Sequence, residues 1–134
     1  MYTLIDLFSR WAYAEVMERI SAIASVAFVQ RAVRVAPFRF ETVQTDHGQE
    51  FSTWFTHCLQ SSGLRHRHCR VRQSNDNAHI ERFNRTIQEE CLDRVTNSFS
   101  SFKLALPKFL RWYNNERSHM GINYQVPNQL IPRS

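Results

Sequence analysis

The chain opens with two apolar-rich runs parted by a polar pair, then shifts to helical spacing. Tyr2 to Phe8 and Trp11 to Met17 read as strands joined at Ser9-Arg10, an antiparallel hairpin. Ser21 stands where a helix cap belongs, and Ala22, Val26, Val29 and Val33 behind it fall on one helical face. Pro37 stops that helix. Phe40 to Thr45 is a third strand, which ends at Asp46. Ser52 caps a helix through Gln60, closed by Gly63. Leu64 to Cys69 is a short fourth strand, and Arg70 to Ala78 a polar loop. The next helix runs to about Arg94, with Ile80, Phe83, Ile87 and Cys91 along one side and Asp76 or Asn77 placed to cap it. A last helix spans roughly Ser101 to Arg117, with Phe102, Leu106, Phe109 and Tyr113 on one face and Pro107 set to kink or restart it. Residues 118–134 read as an irregular tail.

Strand pair, helix, strand, helix, strand, helix, helix is an α/β order. At 134 residues the span 1–134 is expected to be one domain with a real core. No apolar window approaches membrane-spanning length, and the N-terminus lacks the pattern of a signal peptide. Cys58, Cys69 and Cys91 are odd in number and widely spaced, with no CxxC pair. They read as reduced packing thiols of a cytoplasmic, bacterial-type protein. The net charge of +5 and the excess of arginine over lysine suit a polyanionic partner. The plainer explanation of composition alone is a mildly basic surface.

Chemistry concentrates between Thr45 and Glu81. Asp46 leaves the run Phe40-Glu41-Thr42-Val43-Gln44 at its carboxyl end, where open α/β sheets place their sites. Gly48 is expected to let the backbone turn away and leave room for a phosphate. Glu81 flanks the apolar stripe of its helix, with thirty-four residues between it and Asp46. A carboxylate at a strand end and another on a helix wall can share a divalent metal. Taken singly, each has a bland explanation: Asp46 as a strand-exit turn residue, and Glu81 with Arg85 as an i,i+4 surface pair.

The motifs TDHGQEF and QSNDNAHIERFNRT together resemble the second and third acid regions of the DDE catalytic core of transposases and retroviral integrases. The opening Ile5-Asp6-Leu7-Phe8-Ser9-Arg10 resembles that family's second strand and turn, and Trp112 to His119 followed by Pro127 resembles its closing YNxxRxH…P motif. The resemblance covers nearly the whole chain. It implies an RNase H-like mixed sheet flanked by helices, with the first strand and its acid missing. Asp6 belongs to the hairpin pattern and is not expected to replace that acid. The implied parent reaction is Mg²⁺- or Mn²⁺-dependent cleavage and joining of DNA. In it Asp46 and Glu81 bind metal, and two ions about 4 Å apart activate the nucleophile and stabilise the leaving oxygen. Arg85 and Gln88, at i+4 and i+7 from Glu81, lie on the face that holds DNA in relatives, and Gln88 departs from the frequent lysine there. Arg117 and His119 could meet DNA or hold the tail, the second being favoured.

Arg65, Arg67, Arg70 and Arg72 fit phosphate contact, or a solvated basic strand edge. In a strand His66 and His68 share a face while Cys69 points away, which does not suit zinc. The whole reads as the core fragment of an insertion-sequence transposase, itself inactive, with weak or absent metal binding. The rivals are a non-catalytic DNA-binding or assembly remnant and an RNase H-like nuclease acting on RNA hybrids. A sheet lacking its interior strand is expected to complete itself by homodimerisation, through edge pairing or strand exchange.

Overall fold

The computed structural model describes residues 1–46, 48–68, 75–117, 119, 122 and 125–130, the side chains of 75–77 excepted. By their contacts the residues form two compact units, 1–16 with 78–134 and 17–77.

In the first unit, β1 (Tyr2–Ile5) and β2 (Ala12–Glu15) form the expected hairpin, with Tyr2 opposite Glu15 and Ile5 opposite Ala12. β1 is shorter than its apolar run because the turn takes Asp6 to Phe8, while β2 gives up Trp11 to the turn and ends at Glu15, opposite Tyr2. Asp6 Oδ2 accepts from Ser9 N at 2.9 Å and Ser9 Oγ at 2.6 Å, and Ser9 Oγ accepts from Trp11 N at 3.1 Å. Arg10 closes the turn with φ of 64°, a left-handed conformation. Ala12 and Ala14 face inward, and their small side chains let α4 (Phe99–Asn115) lie close to β2. Phe83, Ile87 and Cys91 from α3 (Asn75–Glu90) and the turn after it join Leu106, Phe109, Leu110 and Tyr113 of α4 in that core.

The structure corrects several boundaries. Helix α3 begins at Asn75, so residues 75–78 are helical rather than loop, and Asp76 and Asn77 lie inside the helix rather than at its cap. It ends at Glu90, and Leu92–Arg94 is a separate 3-10 turn. Helix α4 starts at Phe99, where Ser98 Oγ accepts from Ser101 N at 3.2 Å, and runs through Pro107 without restarting. Pro107 is on the exposed side, where water can serve the carbonyl its ring leaves without a donor. The tail is not wholly irregular: His119 bridges Gln125, and Pro127–Gln129 forms a 3-10 turn.

In the second unit α1 (Ala22–Val35) is capped by Ser21 Oγ, which accepts from Ala24 N at 3.1 Å. Its buried face is Ser25, Val26, Phe28, Val29 and Ala32, and Val33 is 38% exposed. The expected stripe was therefore rotated: Phe28 outweighs Val33 in apolar area and takes the inward direction. β3 (Thr42–Thr45) pairs in parallel with β4 (Arg65–His68), through a crossover containing a 3-10 turn at Gln49–Phe51 and α2 (Thr53–Ser61). Gly63 ends α2 at φ 82°, the left-handed position glycine favours. Phe55, Leu59, Leu64 and Val43 are buried. Among the described residues β1 and β3 each have a strand neighbour on one side only.

Candidate functional site

Asp46 follows β3 in the second unit, as the strand-exit pattern predicts, and is exposed. Its Oδ1 accepts from Gly48 N at 2.8 Å. Oδ2 has no protein partner among the described residues. Gly48 has φ of −61°, open to any residue, so freedom to turn is not what glycine supplies here; an added Cβ would instead meet the Glu50 carboxylate at 2.8 Å.

Asp46 is placed by its strand neighbours. Val43 and Thr45 lie opposite His66 and His68 in register. The histidines share a face, as the alternation predicts, with rings 4.7 Å apart. His66 Nε2 is 2.7 Å from Thr45 Oγ1, and its Nδ1 is 2.6 Å from Thr56 Oγ1. Its ring packs edge-on against Phe55 at 4.9 Å. Burial pushes the His66 pKa down, and the neighbouring His68 adds to that shift. His68 Nε2 contacts the Phe51 carbonyl at 3.0 Å. Arg65 and Arg67 point the other way and are exposed, and Arg67 Nε donates to Gln44 Oε1 at 2.6 Å. Arg70, Arg72 and Cys69 lie outside the described residues.

Glu81 belongs to the first unit. It is exposed on α3, with Arg82, Arg85 and Gln88 also exposed. No ion pair joins Glu81 to Arg85 among the described residues. Gln88 Nε2 donates to Asp93 Oδ1 at 2.6 Å, a partner within its own unit. His79, one turn before Arg82, has its pKa lowered by burial and then by Arg10 and Arg82, so the local field at this end of α3 is positive. Asp46 and Glu81 thus stand in different units. Each offers an exposed carboxylate, the hard oxygen donor that Mg²⁺ and Mn²⁺ take. Among the described residues no group of three or more His, Cys, Asp or Glu side chains gathers as a metal site.

The closing motif is packed into the first unit. Arg117 Nε pairs with Glu90 Oε2 at 3.2 Å, and its guanidinium lies 5.8 Å from the Tyr113 ring centre. His119 meets the same ring edge-on at 4.7 Å. Burial, with Arg117 and Arg10 nearby, brings the His119 pKa down to about 4. Sequence reasoning did not find Asn114. Its Oδ1 accepts from Ala12 N and its Nδ2 donates to Ala12 O, both at 2.9 Å. The carboxamide therefore acts as a one-residue strand partner on the β2 edge that β1 leaves unpaired. Its place four residues after Leu110, on the buried face of α4, was the available signal.

Two integrase core domain family models match the chain, over residues 1–74 and 62–127. A 31.7 kDa protein of insertion element IS407 from Burkholderia multivorans is 28% identical over 136 aligned residues, covering 98% of this chain and 48% of that protein. A putative integrase of Spiroplasma virus SpV1-C74 is 25% identical, covering 95% of this chain and 40% of its own length. The chain thus spans about half or less of the curated relatives it matches. Among solved structures, the HTLV-2 integrase catalytic core domain in complex with magnesium, in a trimeric form, aligns with a TM-score of 0.74 at 17% identity, over 96% of this chain and 81% of that one. A chain of the simian T-cell lymphotropic virus intasome with PP2A regulatory subunit B56 gamma aligns at 0.74 and 20% identity, over 96% and 47%. The BIV integrase catalytic core domain aligns at 0.69 and 15% identity, over 93% and 80%. These likenesses establish the fold as RNase H-like α/β. No helix among the described residues is long and apolar enough to cross a membrane.

Proposed function

The chain belongs to the integrase core domain family, and from that premise we propose that it is the core fragment, over 1–134, of a DNA transposase. The observation that carries this reading is Asp46, which follows a parallel strand with one carboxylate oxygen held by Gly48 N and the other without a partner among the described residues. Asp46 on the second unit and Glu81 on the first would each offer a carboxylate ligand for a divalent cation, Mg²⁺ or Mn²⁺, a group that when bound supplies activation of the attacking oxygen and stabilisation of the leaving one. The chain also offers basic groups for the DNA backbone: Arg65 and Arg67 on the second unit and Arg85 on the first, with Arg70 and Arg72 assigned the same task from the sequence. Gln88, Arg117 and His119 drop out of that set because each is engaged inside the first unit.

The fragment taken alone does not cleave DNA in this proposal. Asp6, on the hairpin, has Oδ2 bound by both Ser9 N and Ser9 Oγ, and we assign it the structural role of holding the turn rather than that of a third acid. The same geometry favours, for the isolated chain, a DNA-binding and assembly role. Among the described residues β1 and β3 each pair with a strand on one side only, which favours a homodimer formed by edge pairing or strand exchange. The test is a binding series on unrelated duplexes, with a nicking assay in Mg²⁺ and Mn²⁺. Affinity is expected to fall steeply with salt and to differ little between sequences, without turnover. A flat salt response would overturn the DNA-binding part. Turnover abolished by Asp6→Ala would overturn the assignment of Asp6. Light scattering that gives a monomer at all concentrations would overturn the dimer.

A further inference from the structure

We infer that His66 is a positioning residue for Asp46, acting through the hydrogen-bond series Thr56, His66, Thr45 and the Asp46 carbonyl; the inference rests on the cation-binding role proposed for Asp46.

Thr45 Oγ1 lies 3.0 Å from the Asp46 carbonyl oxygen, which can only accept, and 2.7 Å from His66 Nε2, which accepts or donates with the tautomer. We place the single hydroxyl proton of Thr45 on the Asp46 carbonyl. Toward His66, Thr45 then accepts, and Nε2 carries the hydrogen. In a neutral imidazole Nδ1 is then the acceptor, and Thr56 Oγ1 donates to it at 2.6 Å. The other contact of Thr56, 3.4 Å to the Ser52 carbonyl, is too long to compete. Burial of the ring lowers its pKa and keeps it in this neutral form near pH 7.

The consequence is mechanical. The ring joins the first turn of α2, the middle of β4 and the last residue of β3 one step before Asp46. The Asp46 carbonyl accepts from Thr45 and its Oδ1 from Gly48 N, which restrains the exposed side chain at both ends. A cation ligand held at both ends loses less freedom on binding than one on a loose strand exit. Neither Thr45, Thr56 nor His66 need touch the ion.

Nitrogen-15 NMR of the full chain reads the tautomer directly, and Mn²⁺-induced broadening of the Asp46 and Gly48 amides reads cation affinity. The expected result is a His66 ring protonated at Nε2. Thr45→Val is expected to weaken Mn²⁺ binding at Asp46 about tenfold, Thr56→Val by less, and Thr45→Ser is expected to restore it. Circular dichroism checks that each variant remains folded. A ring protonated at Nδ1 overturns the inference. So does Mn²⁺ affinity unchanged in Thr45→Val while Asp46→Asn abolishes it. If Asp46→Asn leaves Mn²⁺ binding untouched, the cation-binding reading fails instead. The tautomer, and the shift of the Asp46 and Gly48 amides in Thr45→Val, then still decide the hydrogen-bond series.

Discussion

Replacing Asn114 by alanine removes a side chain that binds both backbone groups of a residue 102 positions away. Ala12 is wholly buried and Asn114 is 7% exposed, so water does not replace the carboxamide without entering the core. An unsatisfied buried donor or acceptor costs about 1–3 kcal/mol, and two are created. Water entering the small space left behind offsets part of this, giving about 2–4 kcal/mol. That loss corresponds to roughly 30- to 700-fold faster exchange of the Ala12 amide. Hydrogen exchange at Ala12 is therefore the assay, with the urea midpoint as a second reading. Asn114→Asp adds a check on the geometry. Its carboxylate can accept from Ala12 N but cannot donate to Ala12 O until protonated. The fold then favours the neutral acid, so its pKa is raised above the ordinary value of about 3.9. The deficit relative to the native chain is full above that raised pKa and shrinks as the pH falls toward about 3.9. If Asn114→Ala exchanges and unfolds like an exposed control such as Glu89→Ala, the clamp has no energetic role.

Ser9→Ala is expected to cost about 1–3 kcal/mol, because it leaves the Trp11 amide without its acceptor in a buried turn; urea unfolding followed by fluorescence checks this, and a cost below 0.5 kcal/mol would contradict it. Burial holds His119 neutral, lowering its pKa from the ordinary 6.5 to about 4. A lowered histidine pKa makes the unfolded chain bind protons first, so stability is full above pH 6.5 and falls toward pH 4. His119→Phe keeps an aromatic contact with Tyr113 and is expected to flatten that slope; an unchanged slope between urea midpoints at pH 7 and 5 would assign it to other groups. Glu90→Gln, which removes the charged partner of Arg117, is expected to change stability by less than about 1 kcal/mol because both side chains are part-exposed, and a larger loss would show a tighter pair than the geometry implies.

The parts of this fold that were legible in the sequence are those fixed by local chemistry. Ser21 caps α1, Gly63 ends α2, and the alternation in β4 puts His66 and His68 on one face. What was not legible depends on partners far along the chain. Asn114 reads as an ordinary polar residue until β2 is laid beside α4. The buried side of α1 turned on Phe28 and the small residues Ser25 and Ala32, which a count of branched aliphatics overlooks. The start of α3 was placed late because Asn75, Asp76 and Asn77 favour caps and turns, and here tertiary context overrides that preference. At the candidate site, Asp46 and Glu81 were visible as pattern. The hydroxyl partners of His66 and the Ser9 bonds to Asp6 were not, since each requires knowing which side chains face one another.

Mn²⁺ titration of the nitrogen-15-labelled full chain tests most directly whether Asp46 serves as a ligand for a divalent cation, because paramagnetic broadening is strongest at the amides nearest the ion. Weak binding that broadens the Asp46 and Gly48 amides first, and is lost in Asp46→Asn, is the expected result. Binding that leaves those amides sharp, or tight binding that survives Asp46→Asn, would contradict it.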